Sequence, residues 1–223
     1  MINKRELDII RETLPPTTKL VAVSKFKSPE TIMEAYNLGI KDFGENRPQE
    51  LKVKMESLPV DIRWHFIGNL QSNKIKMIID NVYLIHSVSS EKLLREIDKE
   101  AAKRGLKIDC LLQVYIAREE SKQGLTEEEL LSIIENSSNY PNVRIRGLMG
   151  MASFVDDFEI VSGEFGYIKG LFNKVKNGFS NENNHFDQLS IGMSGDYQIA
   201  LKYNPTIVRI GSSIFGERQQ LTK

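Results

Sequence analysis

The chain has 223 residues, and its 30 Lys and Arg residues balance 30 Asp and Glu residues, so the formal net charge is zero. This balance excludes a global electrostatic field that would favour nucleic acid or an anionic membrane. The single cysteine, Cys110, excludes an internal disulfide, and its apolar neighbours predict an inert core thiol. The charged N-terminus and the lack of a long apolar stretch predict a cytoplasmic protein without a membrane span.

Helical and apolar segments alternate along the whole chain. An amphipathic helix over residues 3–13 comes first, and each later helix separates two short apolar runs. Ser28-Pro29 predicts a helix start, and Thr126 with Glu129 predicts a capping box. The predicted strands are residues 20–25, a short run ending at 43–44, 63–68, 82–86, 108–116, 143–149, 186–191 and 206–210.

Eight strands that alternate with helices favour parallel pairing through right-handed crossovers. In a chain of this length the pattern predicts an α/β protein, a single-domain TIM (β/α)8 barrel over residues 1–223. The rival fold is an open doubly wound sheet, which carries a glycine-rich fingerprint after its first strand. Lys25-Phe26-Lys27 occupies that place, so the barrel is favoured.

The stretch Val208–Gly216 predicts a buried strand, a turn and a helix start near the C-terminus. Gly211 has no Cβ, so the backbone can approach a ligand closely there. Ser212 and Ser213 offer hydroxyl and N–H groups to a phosphate. Arg209 is a permanent cation just before this turn, and its alternative role is to pair with a core carboxylate.

Lys25 ends the first strand, which is hydrogen-bonded to the eighth strand in a closed barrel. Lys25 and Gly211 should therefore be neighbours at the C-terminal face, where such barrels carry their sites. Phosphate sites in these barrels use the loops after strands seven and eight, here Gly192-Met193-Ser194 and Gly211-Ser212. We therefore expect one ligand with a phosphate at Gly211 and an aldehyde at Lys25, although a lone lysine at a strand end is more often a solvated charge.

Other polar residues are less specific. His65, His86 and His185 lack metal-ligand spacing, so no metal site is predicted. Several side chains should share the face of Lys25, while the roles of the lysines among them stay open. They are Asn46, Asn69, Gln71, Asn73, Lys74 and Lys122, with Lys27 close to Lys25.

An ordered set of motifs resembles the pyridoxal phosphate homeostasis protein family, over about residues 20–218. The set is Ala22-Val23-Ser24-Lys25, Phe43-Gly44-Glu45-Asn46, His65-Phe66-Ile67-Gly68, Leu70-Gln71-Ser72-Asn73-Lys74, Ser121-Lys122-Gln123-Gly124, Arg146-Gly147-Leu148-Met149, Gly192-Met193-Ser194 and Val208-Arg209-Ile210-Gly211.

The resemblance implies a barrel related to the N-terminal domain of alanine racemase. It implies pyridoxal 5′-phosphate (PLP) held as an internal aldimine on Lys25. It places Ser194, Gly211 and Ser212 at the phosphate, Arg209 at the pyridine nitrogen, and Asn46 and Met193 near the ring.

The same resemblance implies a carrier of PLP that has no established catalysis. Such a protein would bind, store or deliver the cofactor, with apo PLP-dependent enzymes as recipients, and would affect amino-acid and keto-acid balance. Arg209 agrees with this, since an arginine cannot accept the pyridinium proton that a strong electron sink requires. Two alternatives stay open: a PLP-dependent amino-acid racemase-like enzyme, and a Schiff-base aldolase that binds a sugar phosphate without a cofactor.

Overall fold

The computed structural model describes residues 2–117, 123–179 and 185–216, and their strands form a closed parallel barrel. Each strand pairs with the next in chain order, and the eighth pairs with the first. The predicted TIM barrel is therefore confirmed. The strands are β1 (Lys19–Val23), β2 (Asp42–Glu45), β3 (Arg63–Phe66), β4 (Val82–Val88), β5 (Ile108–Gln113), β6 (Val143–Met149), β7 (Gln188–Met193) and β8 (Ile207–Ile210).

Helices connect the strands, and the two helix starts that the sequence predicts, at Ser28 and Thr126, are confirmed. Ser28 and Ser90 each accept a hydrogen bond from an N–H of the first turn, and Thr126 and Glu129 form the predicted capping box. The helices are α1 (Lys4–Thr13), α2 (Pro29–Asn37), α3 (Pro48–Ser57), α4 (Glu91–Ala102), α5 (Glu127–Glu135), α6 (Phe158–Phe179), α7 (Tyr197–Leu201) and α8 (Ser212–Phe215).

Several strand ends differ from the sequence-based expectation. β1 ends at Val23, so Lys25 follows the strand and does not end it, while β3 ends at Phe66 and β4 extends to Val88. The fifth strand ends at Gln113, because Val114 forms an isolated bridge with Leu125 in the returning chain. The seventh strand begins later, at Gln188, and extends to Met193. The segment after β3 is a 3₁₀ helix, Ser72–Met77, with i to i+3 bonds such as Lys74 N–H to the Gln71 carbonyl.

The buried apolar residues form two separate clusters. A small apolar cluster takes one side chain from each of five strands, namely Val21, Leu84, Leu111, Met149 and Ile207. The main hydrophobic core is separate and contains outward-facing strand residues and the helices' inner faces. Among the described residues, no helix is long and apolar enough to cross a membrane.

Candidate functional site

The loops after β7 and β8 meet β1 at the C-terminal end of the barrel. Ala22 pairs in register with Ile210, so Gly211 lies against Val23, two residues before Lys25. The Gly211 N–H donates a hydrogen bond of 3.1 Å to Ser194 Oγ, which joins the two loops directly. The structure thus brings Lys25, Ser194 and Gly211 to one mouth, as the barrel topology predicts.

Gly211 sits where a larger residue would be crowded. A Cβ atom added there would lie 3.1 Å from the Val23 carbonyl oxygen and 3.2 Å from Val23 Cβ. Gly192 in β7 is also constrained, since its φ is +92° and an added Cβ would meet Ala200 Cβ at 2.8 Å. Both loops therefore use glycine for close backbone approach.

Met193 and Ser194 follow that constrained glycine and are both half-buried. Met193 pairs in register with Arg209, so it lies next to the arginine on the neighbouring strand. The Met193 N–H donates to Asp196 Oδ1, which orders the turn into α7. Asp196 was not among the residues that sequence reasoning selected.

Arg209 is 3% exposed, and within the described residues its hydrogen-bond partners are all neutral. Its Nη1 donates to the Ser190 carbonyl at 2.8 Å and to Ser190 Oγ at 2.6 Å, and its Nη2 donates to the Gly150 carbonyl at 3.0 Å. Burial lowers the pKa of Arg209 to about 10, with Asp196 opposing the shift, so the guanidinium stays charged at neutral pH. Because no described carboxylate forms an ion pair with it, the alternative role of partnering a core carboxylate is not seen.

A chain of hydrogen bonds runs from Arg209 through the barrel interior. Ser190 Oγ lies 3.0 Å from His86 Nδ1, and His86 Nε2 lies 2.8 Å from His65 Nδ1. His65 Nε2 lies 2.9 Å from Asp42 Oδ1, and Asp42 also accepts two hydrogen bonds from Arg63.

One direction of donation satisfies every member of this chain. The Asp42 carboxylate only accepts, so His65 donates from Nε2 and accepts at Nδ1. His86 then donates from Nε2 and accepts the Ser190 hydroxyl proton at Nδ1. Both imidazoles are neutral in this arrangement, and burial lowers the pKa of both, that of His86 well below its usual value. Although burial opposes it, hydrogen bonds from Arg63 and His65 hold the pKa of Asp42 far below its usual range.

Three buried side-chain polar atoms at this end of the barrel have no hydrogen-bond partner within the described residues. They are Glu45 Oε2 at the end of β2, Asn46 Oδ1 directly after it, and Ser87 Oγ near the end of β4. An unsatisfied buried acceptor or hydroxyl costs free energy, so such atoms mark places where a ligand or water is favoured. Asn46 was predicted at this face, whereas Ser87 was missed because a serine inside an apolar strand gives no motif.

Lys25 lies two residues beyond the end of β1 and its side chain is exposed at the mouth. Lys27 is tied down instead, since its Nζ donates to the Phe215 carbonyl of α8 at 2.9 Å. Ser212 begins α8 and is exposed. Lys74 is half-buried on the 3₁₀ helix, and Lys122 lies outside the described residues.

A cleft of about 820 Å³ lies beside the mouth, along the segments that follow β3, β4 and β5. Asn69, Gln71 and Tyr115 line it, but Lys25, Arg209 and Gly211 do not. Cys110 is fully buried, and burial raises the pKa of its thiol well above the usual value, which agrees with an inert core residue. No cluster of three potential metal ligands occurs among residues 2–117, 123–179 and 185–216.

Comparisons with known proteins decide the family. A model of the alanine racemase N-terminal domain matches residues 4–219. A pyridoxal phosphate homeostasis protein of Aquifex aeolicus is 40% identical over 202 residues, 90% of this chain and 87% of that protein. The chain belongs to the pyridoxal phosphate homeostasis protein family. A member from Schizosaccharomyces pombe is 37% identical over 227 residues, 95% of this chain and 91% of that protein.

Solved structures agree with this membership of the pyridoxal phosphate homeostasis protein family. PipY of Synechococcus elongatus, solved without PLP, superposes with a TM-score of 0.89 at 32% identity, covering 95% of this chain and 99% of PipY. PipY with PLP bound superposes with a TM-score of 0.86 over the same shares. An alanine racemase from Bartonella henselae has a TM-score of 0.73 at 16% identity, covering 92% of this chain and 56% of the racemase, which shows a shared fold.

Proposed function

We propose that this protein binds PLP at the barrel mouth and serves in the homeostasis of the cofactor. The observation that carries the proposal is Arg209, a buried cation beside the Gly211 turn whose hydrogen-bond partners among the described residues are all neutral. A buried guanidinium that forms no ion pair with a described carboxylate favours a ligand that brings a hydrogen-bond acceptor, because a buried donor without a partner costs free energy. The family's PipY has been solved with PLP bound, and it supports the choice of ligand.

In this proposal the loops after β7 and β8 hold the phosphate. The absence of a Cβ lets Gly211 pack closely against Val23, which fixes the position of this loop at the end of β1. Ser212 is the first residue of α8, so its N–H has no partner inside the helix. Ser194 Oγ already accepts the Gly211 N–H, which leaves its own proton free for a phosphate oxygen.

Arg209 faces the pyridine nitrogen in the proposal, with Asn46 and Met193 beside the ring. The unpartnered Asn46 Oδ1 and the register pairing of Met193 with Arg209 support this arrangement. A guanidinium that stays charged disfavours a proton on the ring nitrogen. PLP would then supply a weaker electron sink than in most PLP enzymes, which favours a carrier over a catalyst.

Lys25 would bind PLP covalently through its exposed amine. The amine nitrogen adds to the aldehyde carbon, a C=N bond forms as an aldimine, and one water molecule leaves. The linkage is reversible by the same route, as a carrier requires. We place this activity in the cytoplasm, with apo PLP-dependent enzymes as recipients and amino-acid and keto-acid balance as the process affected.

The test is a visible spectrum of the purified protein with PLP, followed by borohydride reduction and peptide mapping. We expect an aldimine band and a reduced label on Lys25, both lost in Lys25→Ala and both kept in Lys74→Ala. A label on Lys74 or Lys122 with Lys25 unmodified would contradict the assignment. A protein that stays colourless with PLP but is trapped by borohydride with a sugar phosphate would favour an aldolase.

A further inference from the structure

A buried ionic group behind β1 holds the peptide groups on both sides of Lys25. Lys54 of α3 is 3% exposed, and its Nζ donates to the Ser24 carbonyl at 3.0 Å. Glu50 lies one turn earlier on α3, and its Oε1 accepts the Phe26 N–H at 2.7 Å. The two side chains form an ion pair of 2.7 Å, so one linked unit binds the chain before and after Lys25.

Glu45 anchors this unit to the barrel. Its side chain is 0% exposed, and its Oε1 accepts a hydrogen bond of 2.8 Å from Lys54 Nζ and one of 2.5 Å from Ser24 Oγ. The three protons of the Lys54 ammonium therefore match three acceptors, Ser24 O, Glu45 and Glu50. A buried ammonium with all its donors paired is rigidly held, because any displacement leaves a charge without a partner.

The chain next to Lys25 has an unfavourable conformation that this unit maintains. Phe26 has a φ of +64°, in the left-handed region that non-glycine residues avoid. Such residues persist only where the surroundings hold them, and they concentrate at functional sites. The hydrogen bond to Glu50 and an Arg47 guanidinium 4.7 Å from the Phe26 ring centroid hold Phe26 in place.

We propose that Glu50 and Lys54 are positioning residues that set the direction in which the Lys25 side chain leaves β1. The inference rests on the proposed function and goes beyond it, since neither residue is proposed to touch the ligand. Without Glu50, Phe26 relaxes toward negative φ, which rotates the adjoining peptide and moves the Lys25 amine. A displacement of about 1 Å of a reacting group can cost about 10²-fold in rate.

The first experiment measures amide hydrogen exchange at Phe26 by NMR in the protein without PLP. Glu50→Ala removes the acceptor, and we expect at least tenfold faster exchange at Phe26. Glu50→Gln keeps an acceptor oxygen, so the exchange rate at Phe26 in this variant should lie between that of the parent protein and that of Glu50→Ala. Glu56→Ala is the matched control, because Glu56 pairs with Lys52 on the exposed side of α3 at 3.8 Å. Unchanged exchange in Glu50→Ala overturns the inference whether or not PLP binds.

The second experiment separates amine placement from ligand affinity. The rate of aldimine formation, a condensation that releases one water, is followed by absorbance after mixing with PLP. Binding of pyridoxine 5′-phosphate, which has an alcohol in place of the aldehyde, is measured in parallel. For Glu50→Ala we expect aldimine formation at least tenfold slower, with affinity for pyridoxine 5′-phosphate within twofold of the parent protein.

The outcomes distinguish the two proposals. Aldimine formation at the parental rate, or an equal loss for both ligands, overturns the positioning role. If Glu50→Ala does not fold, Glu50→Gln replaces it, with the same direction and a smaller effect. Absence of a borohydride-stable label on the parent protein refutes the proposed function, while amide exchange at Phe26 still decides whether Glu50 holds the backbone.

Discussion

Replacing Ser190 by alanine tests the hydrogen-bond chain that supports Arg209. Ser190 is 0% exposed, and its hydroxyl bonds both Arg209 Nη1 at 2.6 Å and His86 Nδ1 at 3.0 Å. The substitution removes one hydrogen bond to a charged group, worth about 1.5–3 kcal/mol, and leaves a buried imidazole nitrogen without a partner, which costs about 1–3 kcal/mol. The Ser190 carbonyl still accepts from Arg209, so only these two costs apply, and we expect a loss of about 2.5–6 kcal/mol in the free energy of unfolding.

Urea unfolding followed by fluorescence of Trp64, the single tryptophan and a buried one, measures this loss. Ser162→Ala is the matched control, since Ser162 is half-buried and its hydroxyl is bonded to the neutral Tyr203 hydroxyl at 2.6 Å. A neutral hydrogen bond contributes about 0.5–1.5 kcal/mol. If Ser190→Ala lowers the free energy of unfolding by no more than Ser162→Ala does, the hydrogen-bond chain from Arg209 to Asp42 is not a fully satisfied buried network.

Three further predictions follow from the site. Gly211→Val should weaken PLP binding more than Ser212→Ala. A branched side chain at position 211 is crowded against β1, whereas the Ser212 hydroxyl is exposed and water can replace its hydrogen bond. Equal losses of affinity in a binding titration would contradict this. His65 and His86 have lowered pKa values in the folded protein, so the unfolded chain binds more protons below about pH 6.5. The free energy of unfolding should therefore decrease as the pH is lowered below about 6.5, by up to about 1.4 kcal/mol per pH unit for each histidine. A urea midpoint that does not change between pH 7 and 5.5 would count against neutral imidazoles. Racemisation of single amino-acid enantiomers, followed by chiral chromatography, should be absent because the guanidinium beside the ring weakens the electron sink; sustained turnover that disappears in Lys25→Ala would favour a racemase.

The sequence by itself was sufficient for the fold and for bringing Lys25 and Gly211 to the same end of the barrel, while the ligand site built on them stays a prediction. Eight apolar runs alternating with capped helices lead to a barrel, and closure of the barrel then places Lys25 near Gly211. These inferences succeed because they depend on local periodicity, on caps and on a topology with few alternatives. Element ends were less predictable, since the early end of β5 depends on pairing between Val114 and Leu125.

Only the tertiary structure identified the groups that support the site. Asp42, His65, His86 and Ser190 come from four different strands, and no spacing in the chain relates them. Their hydrogen bonds arise from the stagger of a closed barrel, which brings inward-facing residues of distant strands to one level.

The same reason explains why the role of α3 was missed. Its sequence predicts an ordinary polar surface helix, in which Glu50 and Lys54 would form one more exposed i, i+4 pair. Packing against β1 and β2 turns Lys54 inward onto Ser24 and Glu45, while Lys52 and Glu56 of the same helix stay in solvent. Helical spacing determines which residues share a face, but only the packing of that helix against the barrel determines which face is buried.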